Sequence, residues 1–368
     1  MPTRPIWLIV FAWLAGTIVV IGLLGVIGVT TFVDQHALTT GNISALNPAV
    51  VWHKWDALWY ERIAVHGYGY ELDNLKGQAA AAFFPLYPLT VGALLQLLPG
   101  ASFFWVASLL SGASSFAALG LMAAHLAATP EHARRTILVA LTSAGSFYLM
   151  IPYAEGLFLL LVVLTMLLTR QRWYVIAGLC CGLAAVTRVQ GFALIAVPVF
   201  ACLVDPDLAI RQRIGRAAGG MTLFALPVLG YLAYMAHVQG DALAFIARQA
   251  LWSNATPYPF RAVVGLIAHP RWIQGWPHGA FWALYVGLLA RYWRRMPLGE
   301  ALFCAGALLI ATQQLTFQGI YRYVTPLVPL TLAIAADKHT VRLPVVAFNL
   351  VFATLMILAF VTWNRLAV

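Results

Sequence analysis

The sequence predicts an all-α, polytopic membrane protein, and three observations support the membrane class. Of the 368 residues, 62% are hydrophobic and only 9% are charged, whereas a soluble domain carries about 25% charged residues. Apolar runs recur near 6–32, 105–127, 136–150, 155–169, 173–186, 190–204, 217–236, 279–290, 298–316, 324–336 and 343–363. A bilayer core takes roughly 20 apolar residues per helix, so these runs read as about 11 transmembrane helices, several completed by flanking Trp, Tyr and Pro. Lys and Arg gather in short loops between runs: Arg134-Arg135, Arg170 to Arg172, Arg211 to Arg216, Arg291 to Arg295 and Lys338 to Arg342. Placing all five in the cytoplasm alternates correctly with the runs. The net charge of +10 is then a loop property and does not point to nucleic acid.

The whole chain, 1–368, reads as one transmembrane domain. The first run, 6–32, is too long for a signal-peptide core and lacks a small-x-small end, so it is expected to stay as the first helix. Arg4 is then cytoplasmic and the C-terminus lies outside. Two long outer loops follow from this topology, at 33–104 and 237–278. Within the first, 83–98 (FFPLYPLTVGALLQLL) is short and opens with two prolines, which fits an interfacial or re-entrant helix. Cys180, Cys181, Cys202 and Cys304 lie inside apolar runs without ligand spacing and read as small core residues.

The stretch 52–68, WHKWDALWYERIAVHGY, sets one acid among aromatics. Asn47-Pro48 is a helix start and Gly67 a stop, which predicts one helix of about five turns. At 100° per residue, Asp56 falls on a face with Trp52, Trp59, Tyr60 and Ile63, while Lys54, Glu61 and Arg62 form a polar flank. A carboxylate on an apolar face is costly without compensation, and burial moves its proton affinity toward the range a base needs. A structural acid beside an interfacial aromatic belt fits the same pattern. Trp52, Trp55 and Trp59 read first as that belt.

Four segments resemble the PIG-V family of mannosyltransferases. WDALWYERIAVHGY (55–68), with AAFFPLYPL after a short gap, opens the match. PYAEGLFLLL (152–161) is similar to the family's Pro-Tyr-Ser-Glu-Ser-Leu-Phe segment, with Ala154 and Gly156 at its two serines. GLAAVTRVQGFAL (182–194) and QGIYRYVTPLVPL (318–330) resemble its Thr-Arg and Arg-Tyr segments. The resemblance implies a GT-C type enzyme that takes a hexose, mannose in the family, from a polyprenyl-phosphate donor on the non-cytoplasmic face. The short, Ala/Leu/Arg-rich chain points to a bacterial inner membrane with a periplasmic active site. The acceptor is then a glycolipid, glycan or protein, and relatives imply that some members need an accessory subunit.

By position in the resemblance, Asp56 is the catalytic base. The donor phosphate calls for cations at the interface: Arg322 first, then Arg188, then His66 or Arg62. Sugar contacts are expected from Trp55, Tyr60, Phe84, Tyr87, Glu155, Gln190, Tyr321 and Tyr323. Glu155 at a helix start also fits dipole capping, and Gln190, Gln313, Gln314 and Gln318 also fit helix-to-helix hydrogen bonds. The outer loops hold no Asp-x-Asp pair and the nine histidines no ligand spacing, so no cofactor and no metal dependence are expected. A lipid or sugar transporter is the rival class. It would place charges at mid-span or show paired repeats, whereas here the polar residues gather at outer ends.

Overall fold

The computed structural model describes residues 4–31, 47–68, 80–253, 258–269, 275–313, 317, 319–337 and 343–362. Among these the chain is helical, with no strand. The order is α1 (Arg4–Thr31), α2 (Pro48–Trp52), α3 (Asp56–His66), α4 (Leu86–Leu97), α5 (Phe103–Leu121), α6 (Pro130–Thr142), α7 (Glu155–Arg170), α8 (Tyr174–Ala185) and α9 (Gly191–Leu194). It continues with α10 (Ala196–Leu203), α11 (Ile210–Gln239), α12 (Ala244–Ser253), α13 (Arg261–Ala268), α14 (Gly275–Tyr292), α15 (Leu298–Ile310), α16 (Ile320–Val324), α17 (Val328–Ala336) and α18 (Leu343–Val361).

Among the described residues, each of the eleven apolar runs carries helix, but not always one straight helix. The run at 190–204 is divided into α9 and α10, and that at 324–336 into the end of α16 and α17. A single π turn, Met122–Leu126, follows α5. Three helical stretches, Trp7–Gly28, Phe103–Leu126 and Ile210–Gln239, are long and apolar enough to cross a bilayer, and the others are shorter. Most of the long α1 and α11 faces outward with apolar side chains such as Leu8, Phe11, Leu226 and Leu229. Such surfaces are unsuited to water. Fold and composition together describe an all-α membrane protein.

Close packing comes from small residues. A Cβ at Gly178 would strike the Gly220 carbonyl, and one at Gly182 that of Phe224, so α8 and α11 approach backbone to backbone.

The bundle has two chemically distinct ends. At one, Arg170 donates to the Leu126 carbonyl (3.1 Å), which joins the α5–α6 and α7–α8 turns. Arg172 pairs with Asp205 (3.4 Å) and with Asp207, which joins the α7–α8 and α10–α11 turns. Arg291 at the end of α14 meets Asp337 at the end of α17 (3.0 Å). The basic turns at 170–172 and 211–216 therefore share one end, and Arg170 lies near Glu300 in the first turn of α15, which brings the Arg291–Arg295 turn to the same end. The loop at 338–342 lies outside the described residues. Since α7 has 16 residues, its Glu155 end stands about 24 Å from this basic end.

The opening region departs from expectation in three ways. Asn47 does cap a helix, accepting from the Ala49 N–H (3.0 Å), and Gly67 does end one at φ 70°. The expected five-turn helix, however, breaks at His53–Trp55 into α2 and α3. Lys54 is not on a polar flank: it is buried and donates to the Val361 carbonyl at the end of α18 (2.8 Å). A cation there satisfies an orphan carbonyl and suits the helix dipole. Trp52 and Trp59 are not a rim belt either. Trp52 is buried against Phe360 (ring centroids 6.0 Å) and Trp59 against Phe83 (5.8 Å). The break folds both tryptophans into the bundle end. The helix expected in 83–98 is α4, whose 12 residues reach about 18 Å, and a Cβ at its Gly92 would meet the Ala64 carbonyl of α3.

Candidate functional site

Opposite the basic end, four segments bring charge together. Asp56 is the first residue of α3 and Glu155 the first of α7. Each carboxylate therefore sits where the helix dipole favours an anion. Arg188 follows the end of α8, and Arg322 lies in α16. Arg322 donates through Nη1 to Asp56 Oδ2 (2.6 Å) and through Nε to Glu155 Oε1. Arg188 donates to the same Glu155 oxygen. Two acids and two arginines thus form one chain, Asp56–Arg322–Glu155–Arg188, with no net formal charge.

Aromatic rings and amides hold the arginines. The Arg322 guanidinium lies over the Tyr153 and Tyr148 rings (4.9 and 5.2 Å), and that of Arg188 over Tyr323 (5.5 Å), in cation–π geometry. Arg188 Nε donates to Gln190 Oε1 (3.0 Å), and Gln190 Nε2 donates to the Tyr323 carbonyl (2.9 Å). Tyr153 also fixes the acid: its hydroxyl donates to the Lys54 carbonyl (3.0 Å) and accepts from the Asp56 N–H (3.3 Å).

Backbone strain sits beside Asp56. Trp55 has φ 57° and ψ −120°, a conformation that a bulky L-residue adopts only when its surroundings enforce it. Lys54 and Trp55 supply that enforcement. Both hydrogen-bond to the end of α18, Trp55 through Nε1 to the Phe360 carbonyl (3.4 Å).

Exposure ranks the cluster. Side-chain exposure is 17% for Asp56, 10% for each arginine and 0% for Glu155. Asp56 is the most accessible member, and Glu155 reaches a ligand least. Through Oε1, Glu155 is the counter-ion that sets the spacing of two guanidiniums, while its Oε2 has no hydrogen-bond partner among the described residues. Gly156 has a packing reason. A Cβ there would collide with the Ser111 carbonyl of α5, which leaves no room for a serine.

Several expected residues lie elsewhere. Tyr60 is buried edge-on to Tyr87 (5.1 Å) and Tyr153 (6.2 Å), which places it just behind the cluster. Tyr87 is committed to structure, with its hydroxyl bonded to the Ala107 carbonyl and to Ser111 (both 2.9 Å). Phe84 packs on Tyr231 and Phe245, in a separate apolar cluster. Arg62 covers Trp59 (4.9 Å), and the exposed His66 ends α3, about 15 Å along its axis from Asp56. Neither joins the arginine pair. Tyr321 turns toward α14, against Phe281 (4.6 Å) and His278 (5.2 Å). Gln314 and Gln318 lie outside the described residues.

No family model, curated protein or solved structure matches the chain.

The site has members that pattern reading passed over. Tyr148 and Tyr153 stand just before Glu155, and that local clustering of tyrosines was the available signal. Nothing in the spacing of Lys54 or Trp55 announces the helix break between them and the preceding turn.

Proposed function

We propose that this chain is an inverting glycosyltransferase that moves a mannose or similar hexose from a polyprenyl-phosphate donor to an acceptor hydroxyl. One observation supports this reading above the rest. Arg322 joins the most accessible acid of the cluster, Asp56, to a second, buried Glu155–Arg188 pair. The arrangement puts a proton acceptor directly beside fixed positive charge, the two elements that glycosyl transfer from a phosphate needs. The resemblance of four segments to the PIG-V family supports it independently, since Asp56, Glu155, Arg188 and Arg322 each come from a different one of them.

In the reaction, the donor phosphate engages Arg322 and Arg188, whose planar guanidiniums suit its oxygens. Competition for Arg322 loosens the resting Asp56 contact. Asp56 takes the acceptor hydroxyl's proton, that oxygen bonds to the anomeric carbon, and the carbon–oxygen bond to phosphate breaks. The electron pair leaves with the polyprenyl phosphate, and the anomeric configuration inverts. In this reading the eleven apolar runs form about eleven spans, the basic end faces the cytoplasm and the cluster end the periplasm of a bacterial inner membrane. The acceptor is a glycolipid, glycan or protein.

Asp56→Asn tests the reading, with labelled sugar transfer from polyprenyl-phosphate-mannose measured in membranes. Transfer is expected to fall by about 10²-fold or more, the scale of a lost general base, while the loss of melting temperature stays smaller than that of Glu155→Gln, because Asp56 is the more exposed acid and pairs with one arginine where Glu155 pairs with two. Near wild-type transfer would remove Asp56 from this role. Transfer is further expected to persist in EDTA.

A further inference from the structure

A second polar pair lies on another face of α16. Tyr321 and His278 are both buried, with ring centroids 5.2 Å apart. Among the described residues, neither the Tyr321 hydroxyl nor His278 Nδ1 has a hydrogen-bond partner. Buried polar side-chain atoms are nearly always satisfied, so two unsatisfied ones on neighbouring rings call for a partner. Their surroundings are aromatic. Phe281 and Phe352 pack on Tyr321 (4.6 and 5.7 Å), and Phe352 continues to Phe348 (5.8 Å), an exposed residue of α18. An aromatic seam thus runs between α14 and α18 from the apolar surface to the unpaired groups. Tyr321 is also the chain neighbour of Arg322, so one short helix carries both the tyrosine of the pair and the arginine that joins the cluster.

We propose that His278 and Tyr321 form a hydroxyl-binding subsite that receives a sugar hydroxyl of the ligand whose phosphate Arg322 holds. The inference rests on the glycosyltransferase reading for the ligand's identity. A neutral imidazole and a phenol each both donate and accept, which matches a hydroxyl. Arg322 and Arg188 supply the cationic donors that a phosphate takes. The aromatic walls offer apolar faces to the carbon skeleton of a sugar.

The test uses the full chain in detergent, with Tyr321→Phe and His278→Phe variants and two probes. Octyl mannoside carries sugar without phosphate, and a short polyprenyl phosphate carries phosphate without sugar. Tyr321→Phe keeps the packing on Phe281 and Phe352 and removes one oxygen. Mannoside binding should weaken about three- to tenfold in each variant, the scale of one lost hydrogen bond. Polyprenyl phosphate binding should be unchanged, and the melting temperature equal or higher, since an unsatisfied polar atom has been removed. Unchanged mannoside binding in both variants, with a lower melting temperature, would assign the pair to a structural water and overturn the subsite. Equal weakening of both probes, or no mannoside binding by the unaltered chain, would overturn it too. Tyr321-dependent mannoside binding without sugar transfer would leave the subsite standing and remove the transferase reading.

Discussion

At the basic end of the bundle, Arg172 reaches Asp205 and Asp207 with 49% of its side chain exposed, and Arg291 reaches Asp337 with 60% exposed. At the other end, Arg188 and Arg322 reach Glu155 and Asp56 with 10% exposed, and the shared glutamate is fully enclosed. The two regions use the same residue types in opposite ways. Arginines this exposed are screened by water and easily rearranged, so their pairs contribute less even where the acid, as at Asp205 (2% exposed) and Asp337 (9%), is itself enclosed. Enclosed pairs carry a large desolvation cost, and each member depends on its partners remaining in place. The basic end needs only charge on the correct side. The cluster end holds each charge at a defined point, an arrangement that binding and catalytic sites share with structural ion-pair networks.

The largest structural effect is expected from Glu155→Gln. It keeps the shape but leaves Arg188 and Arg322 with one carboxylate between them, and breaking a buried pair costs about 3–5 kcal/mol. A steep fall in melting temperature and yield should follow. A fall no greater than that of Arg172→Gln would erase the distinction between the two ends. Gly156→Ser comes next. The added Cβ meets the Ser111 carbonyl, and such overpacking costs about 1–3 kcal/mol. Thermal unfolding in detergent measures it, and an unchanged midpoint would show that α5 and α7 can separate freely.

At the basic end, Arg172→Gln should leave the melting temperature unchanged at neutral pH. A smaller effect remains at acid pH. The Tyr174 hydroxyl donates to Asp205 (2.7 Å) and holds this carboxyl below its ordinary value. A folded value below the unfolded one gives stability that is present above the unfolded value, about 3.9, and lost as pH falls through the folded value. Tyr174→Phe should therefore flatten the loss of stability below about pH 4. An acid limb identical to that of the unaltered chain would assign the acid sensitivity to other groups.

Composition and the spacing of apolar runs determined the all-α membrane class, because removing so many apolar side chains from water leaves a chain little other choice. Lys and Arg mark the turns, at 170–172 and 211–216, that the fold brings to one end. The helix limits at Asn47-Pro48 and Gly67 were local too, set by one side-chain cap and one glycine. The break between them was not local. It exists because the end of α18, some 300 residues later, offers carbonyls to Lys54 and Trp55. Asp56 was legible as an acid out of place, and Arg322 as a cation between tyrosines. Only the tertiary structure decided that they touch, that Glu155 holds both arginines, and that Tyr321 leaves the cluster for His278. A sequence pattern records what each residue can bond to, and long-range packing decides which partner is within reach.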